Sequence, residues 1–381
     1  MTEVSIVGVG ISPFGRHPGV SGRAQAVVAI RAALADAGVA WRDVDSAFGG
    51  SEAAGNADTL VAELGLTGVP FTNVRNGCAT GGSALAAGSQ AIRAGAAELV
   101  LVVGFDKHPR GAFDPMPADW GLDPGYGDAG LMVTTQFFGL KIQRYLHDHG
   151  ISPIALALVA QKAYQNGSRN PNAWRRTPLT VAEILDSGMV SDPLTRYMFC
   201  SPGEGAVAVL LAPTGDAGRF DPRPVRLAAA VLRSRRFGSF EVFSPWLPAG
   251  ELTSVSTDAA RAAFELSGYG PEDVDVAQLQ DTESGAELMH LAECGFCAPG
   301  EQEKLLRDGA TRIDGRLPVN TDGGCLANGE PIGASGLRQV HEVVLQLRGQ
   351  AGERQVPGTP RIGFTHVYGA PGVSACTVLA V

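Results

Sequence analysis

Two stretches of the chain carry the same order of apolar and polar positions. Arg31-Ala-Ala-Leu-Ala-Asp-Ala-Gly-Val-Ala-Trp-Arg-Asp-Val-Asp-Ser-Ala47 returns without a gap as Arg261-Ala-Ala-Phe-Glu-Leu-Ser-Gly-Tyr-Gly-Pro-Glu-Asp-Val-Asp-Val-Ala277. Each copy reads as an amphipathic helix stopped by glycine, a turn, and a strand. The segments Gly203–Ala212 and Gly372–Val381 both run from small residues into the unbroken apolar pattern of a buried strand. Glu98–Phe105, the densest apolar run, has strand length. The pattern predicts two similar α/β halves packed together, the first from 1–105 plus 199–213 and the second from 224–381. Residues 106–198 differ in texture. They are rich in Pro, Gly and Asp from Phe113 to Tyr126 and basic at Trp174-Arg-Arg176, which suggests an inserted loop domain. Pro213–Pro224 reads as the linker between halves.

One helix has an unusual make-up. From Asn76 to Gly95 it is built of Ala, Gly and Ser behind Cys78. Such a helix is weak on a surface, where each glycine costs about 1 kcal/mol against alanine. Between two sheets it makes sense, because small side chains let backbones approach. Cys78 then stands at a buried helix N-terminus, where the dipole favours a thiolate; a small core cysteine is the alternative. Gly8-Val-Gly10 hints at a dinucleotide loop, but the third glycine is missing and Pro13 stands where the helix would run.

Composition narrows the function. The 381 residues are 45% hydrophobic and 18% charged, which excludes a disordered chain. The 50 glycines follow no period and point to tight turns and close helix–sheet contacts. A net charge of −9 argues against nucleic acid. No run reaches the roughly 18 apolar residues of a membrane span. The opening Met1-Thr-Glu-Val-Ser-Ile-Val-Gly lacks a leader pattern, so the expected compartment is the cytoplasm. The six cysteines are expected reduced. Cys294-Gly-Phe-Cys297 lacks a second pair at zinc spacing, and His147 and His149 lack a third ligand, so no metal is expected.

Gly77-Cys-Ala-Thr-Gly-Gly-Ser-Ala84 resembles the segment around the acylated cysteine of thiolases. Asn320-Thr-Asp-Gly-Gly-Cys-Leu-Ala-Asn-Gly-Glu-Pro-Ile-Gly-Ala-Ser-Gly336 resembles the thiolase signature that ends Gly-His-Pro-Ile-Gly-Ala-Ser-Gly. Asn170-Pro171, Asp192-Pro-Leu194, Ser201–Gly205 and Gly295–Glu301 are most similar to the sterol-carrier or lipid-transfer branch. The resemblance runs from Val4 to Val381. It implies a five-layered αβαβα sandwich of duplicated halves, a homodimer, and an acyl-CoA substrate. Coenzyme A would enter as part of the substrate, held partly by the insert, with no tightly bound cofactor. Gly333 and Ser335 of the signature, with Arg175 and Arg176 of the insert, are the expected coenzyme A contacts.

The chain departs from that family where catalysis occurs. Glu330 replaces the activating histidine, Gln280-Asp-Thr-Glu283 replaces the His-Asp-Cys-Phe or Asn-Glu-x-Phe element, and His366-Val-Tyr-Gly369 replaces the late cysteine or His-Asn-x-Gly. A carboxylate beside Cys78 disfavours its thiolate. The catalytic set read from the sequence is therefore Cys78, Glu330, His366, Tyr368 and Asp281, with Glu330 as acid/base. It fits retro-aldol cleavage of a β-hydroxyacyl-CoA, which needs no acyl-enzyme. Some lipid-transfer-type relatives do this in steroid side-chain degradation with a small zinc-ribbon/OB-fold partner. Two other readings remain: a 3-ketoacyl-CoA thiolase (acetyl-CoA acyltransferase) using Cys78, and a non-catalytic acyl-CoA or lipid-binding subunit.

Overall fold

The computed structural model describes residues 2–220, 223–236 and 253–381. Residues 221–222 of the expected linker and 237–252 of the second half lie outside the described residues. In chain order the strands are β1 (Val4–Ile11), β2 (Ser46–Gly50), β3 (Phe71–Asn73), β4 (Val100–Lys107), β5 (Met189–Ser191), β6 (Leu194–Thr195), β7 (Glu204–Pro213), β8 (Val225–Ser234), β9 (Val276–Leu279), β10 (Ile362–Gly369) and β11 (Val373–Ala380). The helices are α1 (Gly22–Ala37), α2 (Val61–Leu64), α3 (Thr80–Arg93), α4 (Gly125–Asp128), α5 (Thr134–His149), α6 (Ile154–Ser168), α7 (Val181–Leu185), α8 (Val255–Ser267), α9 (Ser284–Glu293), α10 (Gln302–Arg307), α11 (Gly324–Asn328) and α12 (Ser335–Arg348).

The repeated pattern folds the same way twice. α1 stops at Gly38 (φ +68°) and feeds β2, and α8 stops at Gly268 (φ +77°) and feeds β9. Both glycines adopt the left-handed conformation that a side chain disfavours. The strands run in the order β3-β2-β4-β7-β1-β8-β11-β10-β9. β1 and β8 pair only through Ser5–Arg226 and Ile6–Val225, whereas β8 pairs with β11 along most of its length. The nine strands therefore act as two half-sheets meeting at a corner. α1 buries Ile30, Ala33 and Leu34 on the outer face of the first, and α8 buries Ala259, Ala263 and Phe264 on the outer face of the second. Between them α3 (Leu85, Ile92) and α12 (Leu337, Val340, Val344) share one core with Val102, Val209, Val276 and Leu379. This is the αβαβα sandwich that the resemblance implies.

The small side chains of α3 are what allow that middle layer. A Cβ on Gly82 would stand 2.6 Å from the Ala375 Cβ of β11.

The segment read as a loop domain is in large part helical. It carries α4–α7 and the β5–β6 hairpin. Ile142, Leu156, Val159 and Tyr164 form a core with Leu288, Met289 and Leu326 of the second half. A buried ion pair from Lys162 to Glu287, 2.5 Å, fixes it there, and Asn320 Nδ2 donates to the other oxygen of Glu287 at 2.8 Å.

Candidate active site

A cavity of about 640 Å³ opens where the two halves meet the insert. Cys78 borders it from the first half. The turn of Gly77 (φ +54°) presents the residue two positions before the start of α3, whose N-cap is Ala79. From the second half come Gln280, just after β9, and Tyr368, on β10. The insert adds Phe113, Phe138 and Lys141.

Glu330 approaches Cys78 from behind. Its loop is fixed by backbone bonds from Glu330 N to Ser201 O (2.9 Å) and from Gly203 N to Glu330 O (3.2 Å). Gln280 Nε2 donates to Glu330 Oε1 at 3.3 Å, while Oε2 is buried with no hydrogen-bond partner of good geometry. Burial pushes the Cys78 thiol well above its ordinary pKa, and the charge of Glu330 and a hydrogen bond to it push further; Gln280 works the other way. The thiolate expected from the helix N-terminus alone is thus not the favoured form. Cys200, also on the cavity, is raised by burial and then by Glu330.

The other expected groups divide. Glu330 is fully buried and does not border the cavity, so it acts on a substrate through Cys78 and Gln280, which do. Tyr368 borders the cavity, its amide donates to Gln280 Oε1 (2.6 Å), and its hydroxyl donates to Pro371 O (2.9 Å). His366 is buried off the cavity. Its Nε2 lies 2.9 Å from Ser256 Oγ and its ring 4.2 Å from that of His290, so its contacts bypass Cys78 and Glu330. Burial, then His290, hold its pKa well below the histidine range, and the ring is neutral.

Asp281 is a brace. It accepts from Cys325 N (2.6 Å) and Leu326 N (3.3 Å) at the start of α11, and it too lies off the cavity. The carboxylate leaves no room for a side chain at Gly324, whose Cβ would stand 2.0 Å from Asp281 Oδ2.

The expected coenzyme A contacts are also elsewhere. Arg175 donates to Leu326 O at 3.0 Å and to Ser201 Oγ, and lies over the Trp174 ring at 4.7 Å. Arg176 is exposed away from the cavity. Gly333 N donates to Asp106 Oδ2 (2.7 Å) and Ser335 Oγ to Pro331 O (3.3 Å), both inside the helix–sheet contact. The cations on the cavity are instead Lys141, paired with Glu283 at 2.7 Å, and the exposed Arg75, paired with Glu52 at 2.5 Å.

Sequence reasoning passed over His290 and Glu293, which border the cavity side by side on α9. The available signal was a His-x-x-Glu spacing on the helix that follows the altered Gln280–Glu283 element. Among the described residues no cluster of three His, Cys, Asp or Glu side chains could hold a metal, and no helix is long and apolar enough to cross a membrane.

Residues 4–177 match the family Thiolase, N-terminal domain, and residues 250–380 match the Thiolase C-terminal domain-like family. An acetyl-CoA acetyltransferase of Methanothermobacter thermautotrophicus is 35% identical over 98% of both chains. The benzoylsuccinyl-CoA thiolase subunit BbsB of Thauera aromatica is 32% identical over 96% of this chain and 94% of its own. Human sterol carrier protein 2 is 32% identical over 99% of this chain and 72% of its own. Among solved structures, the Ltp2-ChsH2(DUF35) aldolase aligns over 100% of this chain and 98% of its own at TM-score 0.87 and 24% identity. Human mitochondrial 3-ketoacyl-CoA thiolase aligns over the same shares at TM-score 0.72 and 16% identity. With this architecture and these relatives, the chain belongs to the thiolase superfamily of enzymes.

Proposed function

We propose that this thiolase-superfamily enzyme cleaves, or in reverse forms, the Cα–Cβ bond of a β-hydroxyacyl-CoA by retro-aldol chemistry. The observation that carries the reading is a buried carboxylate, Glu330, within electrostatic reach of Cys78. Thiolysis needs a cysteine that ionises and then carries the acyl group. Here burial and a neighbouring carboxylate both favour the neutral thiol. A neutral thiol on the cavity wall forms no acyl-enzyme, and retro-aldol cleavage asks for none.

Phe113, Phe138, Met289 and Ile332 on the cavity wall suit a bulky apolar acyl group, of which a steroid side chain is the favoured case. Coenzyme A enters as part of the substrate. By analogy with a neighbour whose name pairs Ltp2 with a DUF35 protein, and a relative described as a subunit, the active assembly includes a small zinc-ribbon/OB-fold partner.

The test supplies a β-hydroxyacyl-CoA and a 3-ketoacyl-CoA, each with and without free coenzyme A. Cleavage of the hydroxy substrate without free thiol is expected. Cys78→Ala keeps that activity within about tenfold, whereas loss of a covalent nucleophile costs on the order of 10³-fold or more. Turnover only of the keto substrate, dependent on free coenzyme A and abolished in Cys78→Ala, would overturn the reading in favour of a thiolase. A chain that binds both substrates and turns over neither would be a binding subunit.

A further inference from the structure

Retro-aldol cleavage requires a base for the β-hydroxyl, and Glu330 and His366 both lie off the cavity. Among the described residues, His108 and His290 are the histidines that border it. His108 Nε2 takes the Ile332 amide at 3.3 Å, and an amide can only donate, so that nitrogen is occupied. His290 is arranged differently. Its Nδ1 lies 2.7 Å from Glu293 Oε2, one helical turn away on α9. A carboxylate can only accept there, so Nδ1 carries the hydrogen and Nε2 is the basic nitrogen. Among the described residues Nε2 has no hydrogen-bond partner. The ring's other face is braced by neutral His366, which Ser256 in turn holds.

Glu293 is suited to its part. Burial works to raise its pKa, but the hydrogen bond and charge of His290, a hydrogen bond from Ser254 and the charge of Lys141 hold it below the usual range, so it stays ionised. Among the described residues, the ionisable groups that face the pair are His366 from β10, Lys141 and Tyr145 from α5, and Cys294 beside Glu293. Lys141 is itself paired with Glu283.

We propose that His290, positioned by Glu293, is the catalytic acid/base of this site. The assignment rests on the retro-aldol reading for its hydroxyl substrate. His290 Nε2 removes the β-hydroxyl proton; the oxygen's electron pair forms the new carbonyl as the Cα–Cβ bond breaks. The pair from that bond becomes the thioester enolate. The imidazolium then returns the same proton to Cα, releasing an aldehyde or ketone and a shortened acyl-CoA. No oxidant, metal or further reactant enters. The reverse of the last step is proton abstraction from the α-carbon of an acyl-CoA, which can be observed without knowing the acyl group.

The experiment incubates the wild-type chain, His290→Gln, Glu293→Gln and Cys78→Ala with acetyl-CoA in D2O and follows deuterium at the α-carbon by mass spectrometry. The same proteins receive 3-cyclopentyl-3-hydroxypropanoyl-CoA, whose retro-aldol products are cyclopentanecarbaldehyde and acetyl-CoA. Expected are exchange by the wild type and a loss of about 10²-fold or more in His290→Gln with acetyl-CoA affinity little changed. Glu293→Gln should lose about tenfold and move the acidic limb of its pH profile, where His290 gives up its proton, to lower pH, since the imidazolium loses its counter-charge. A merely structural Glu293 would not move that limb. Exchange by His290→Gln at the wild-type rate, or no exchange by the wild type, overturns the assignment. Loss of exchange in His290→Gln combined with cleavage that needs Cys78 and free coenzyme A would leave His290 as the base and overturn the retro-aldol reading instead.

Discussion

Removing the charge of Glu330 is the smallest change that tests what it does to Cys78. Its carboxylate raises the thiol pKa by charge and by hydrogen bonding, but burial is the larger cause. Glu330→Gln should therefore lower the Cys78 pKa without returning it to that of an exposed thiol. Alkylation by iodoacetamide follows the thiolate. Its rate should rise several-fold at fixed pH in Glu330→Gln, and its pH profile should move to lower pH. An unchanged profile would show that the carboxylate does not set the thiol's state. Retro-aldol turnover should stay within about tenfold, because Glu330 does not border the cavity. Glu330→His should not establish efficient thiolysis, since Gln280, Thr282 and His366 still differ from the family's pattern. The replacement at 330 was legible as a break in a motif. The roles at 281 and 366 were not, because a sequence does not reveal that Asp281 spends its oxygens on the amides of α11, or that His366 turns to Ser256. His290 was hidden for the opposite reason: His and Glu three apart on an amphipathic helix look like an ordinary surface pair.

Among the elements, α3 is held close against β11. Alanine is favoured over glycine inside a helix by about 1 kcal/mol, so on propensity alone Gly82→Ala would stabilise. The added methyl would stand 2.6 Å from the Ala375 Cβ, on a strand paired on both sides. Overpacking of this kind costs about 1–3 kcal/mol, and Gly82→Ala should be destabilised by about that amount in chemical denaturation. Unchanged or greater stability would mean that α3 can lift away from β11. The burial of α3 was readable from its run of small residues, and the helix–glycine–turn–strand unit from its repetition. The helices of the insert were not. Pro- and Gly-rich residues 113–126 dominate its texture, and α5 and α6 hold their place through a core shared with α9 and α11, a partnership remote in sequence.

For the whole molecule the outer edges of the sheet matter. β3 ends it on the first half, three residues long and paired only with β2, with Thr72 and Asn73 exposed. An open strand edge is a template for another strand, and the Cys78 loop follows it directly. Together with the family resemblance this predicts a homodimer through the first half's sheet. Sedimentation of the full chain should give a dimer at micromolar concentration; a stable monomer with full turnover would overturn this. Both halves were foreseeable from the sequence, but their slender junction was not, because Ser5, Ile6, Val225 and Arg226 look like any other strand residues.

That junction has a consequence for descent. The sulfur comes from one half of the duplication, while Gln280, His290, Glu293 and Glu330 come from the other, and the two are tied mainly by side chains of the middle layer. The partners of the sulfur can be rewritten in the second copy while the first copy is left untouched. A substitution at position 280 or 330 therefore changes the state of the sulfur without touching the copy that holds it.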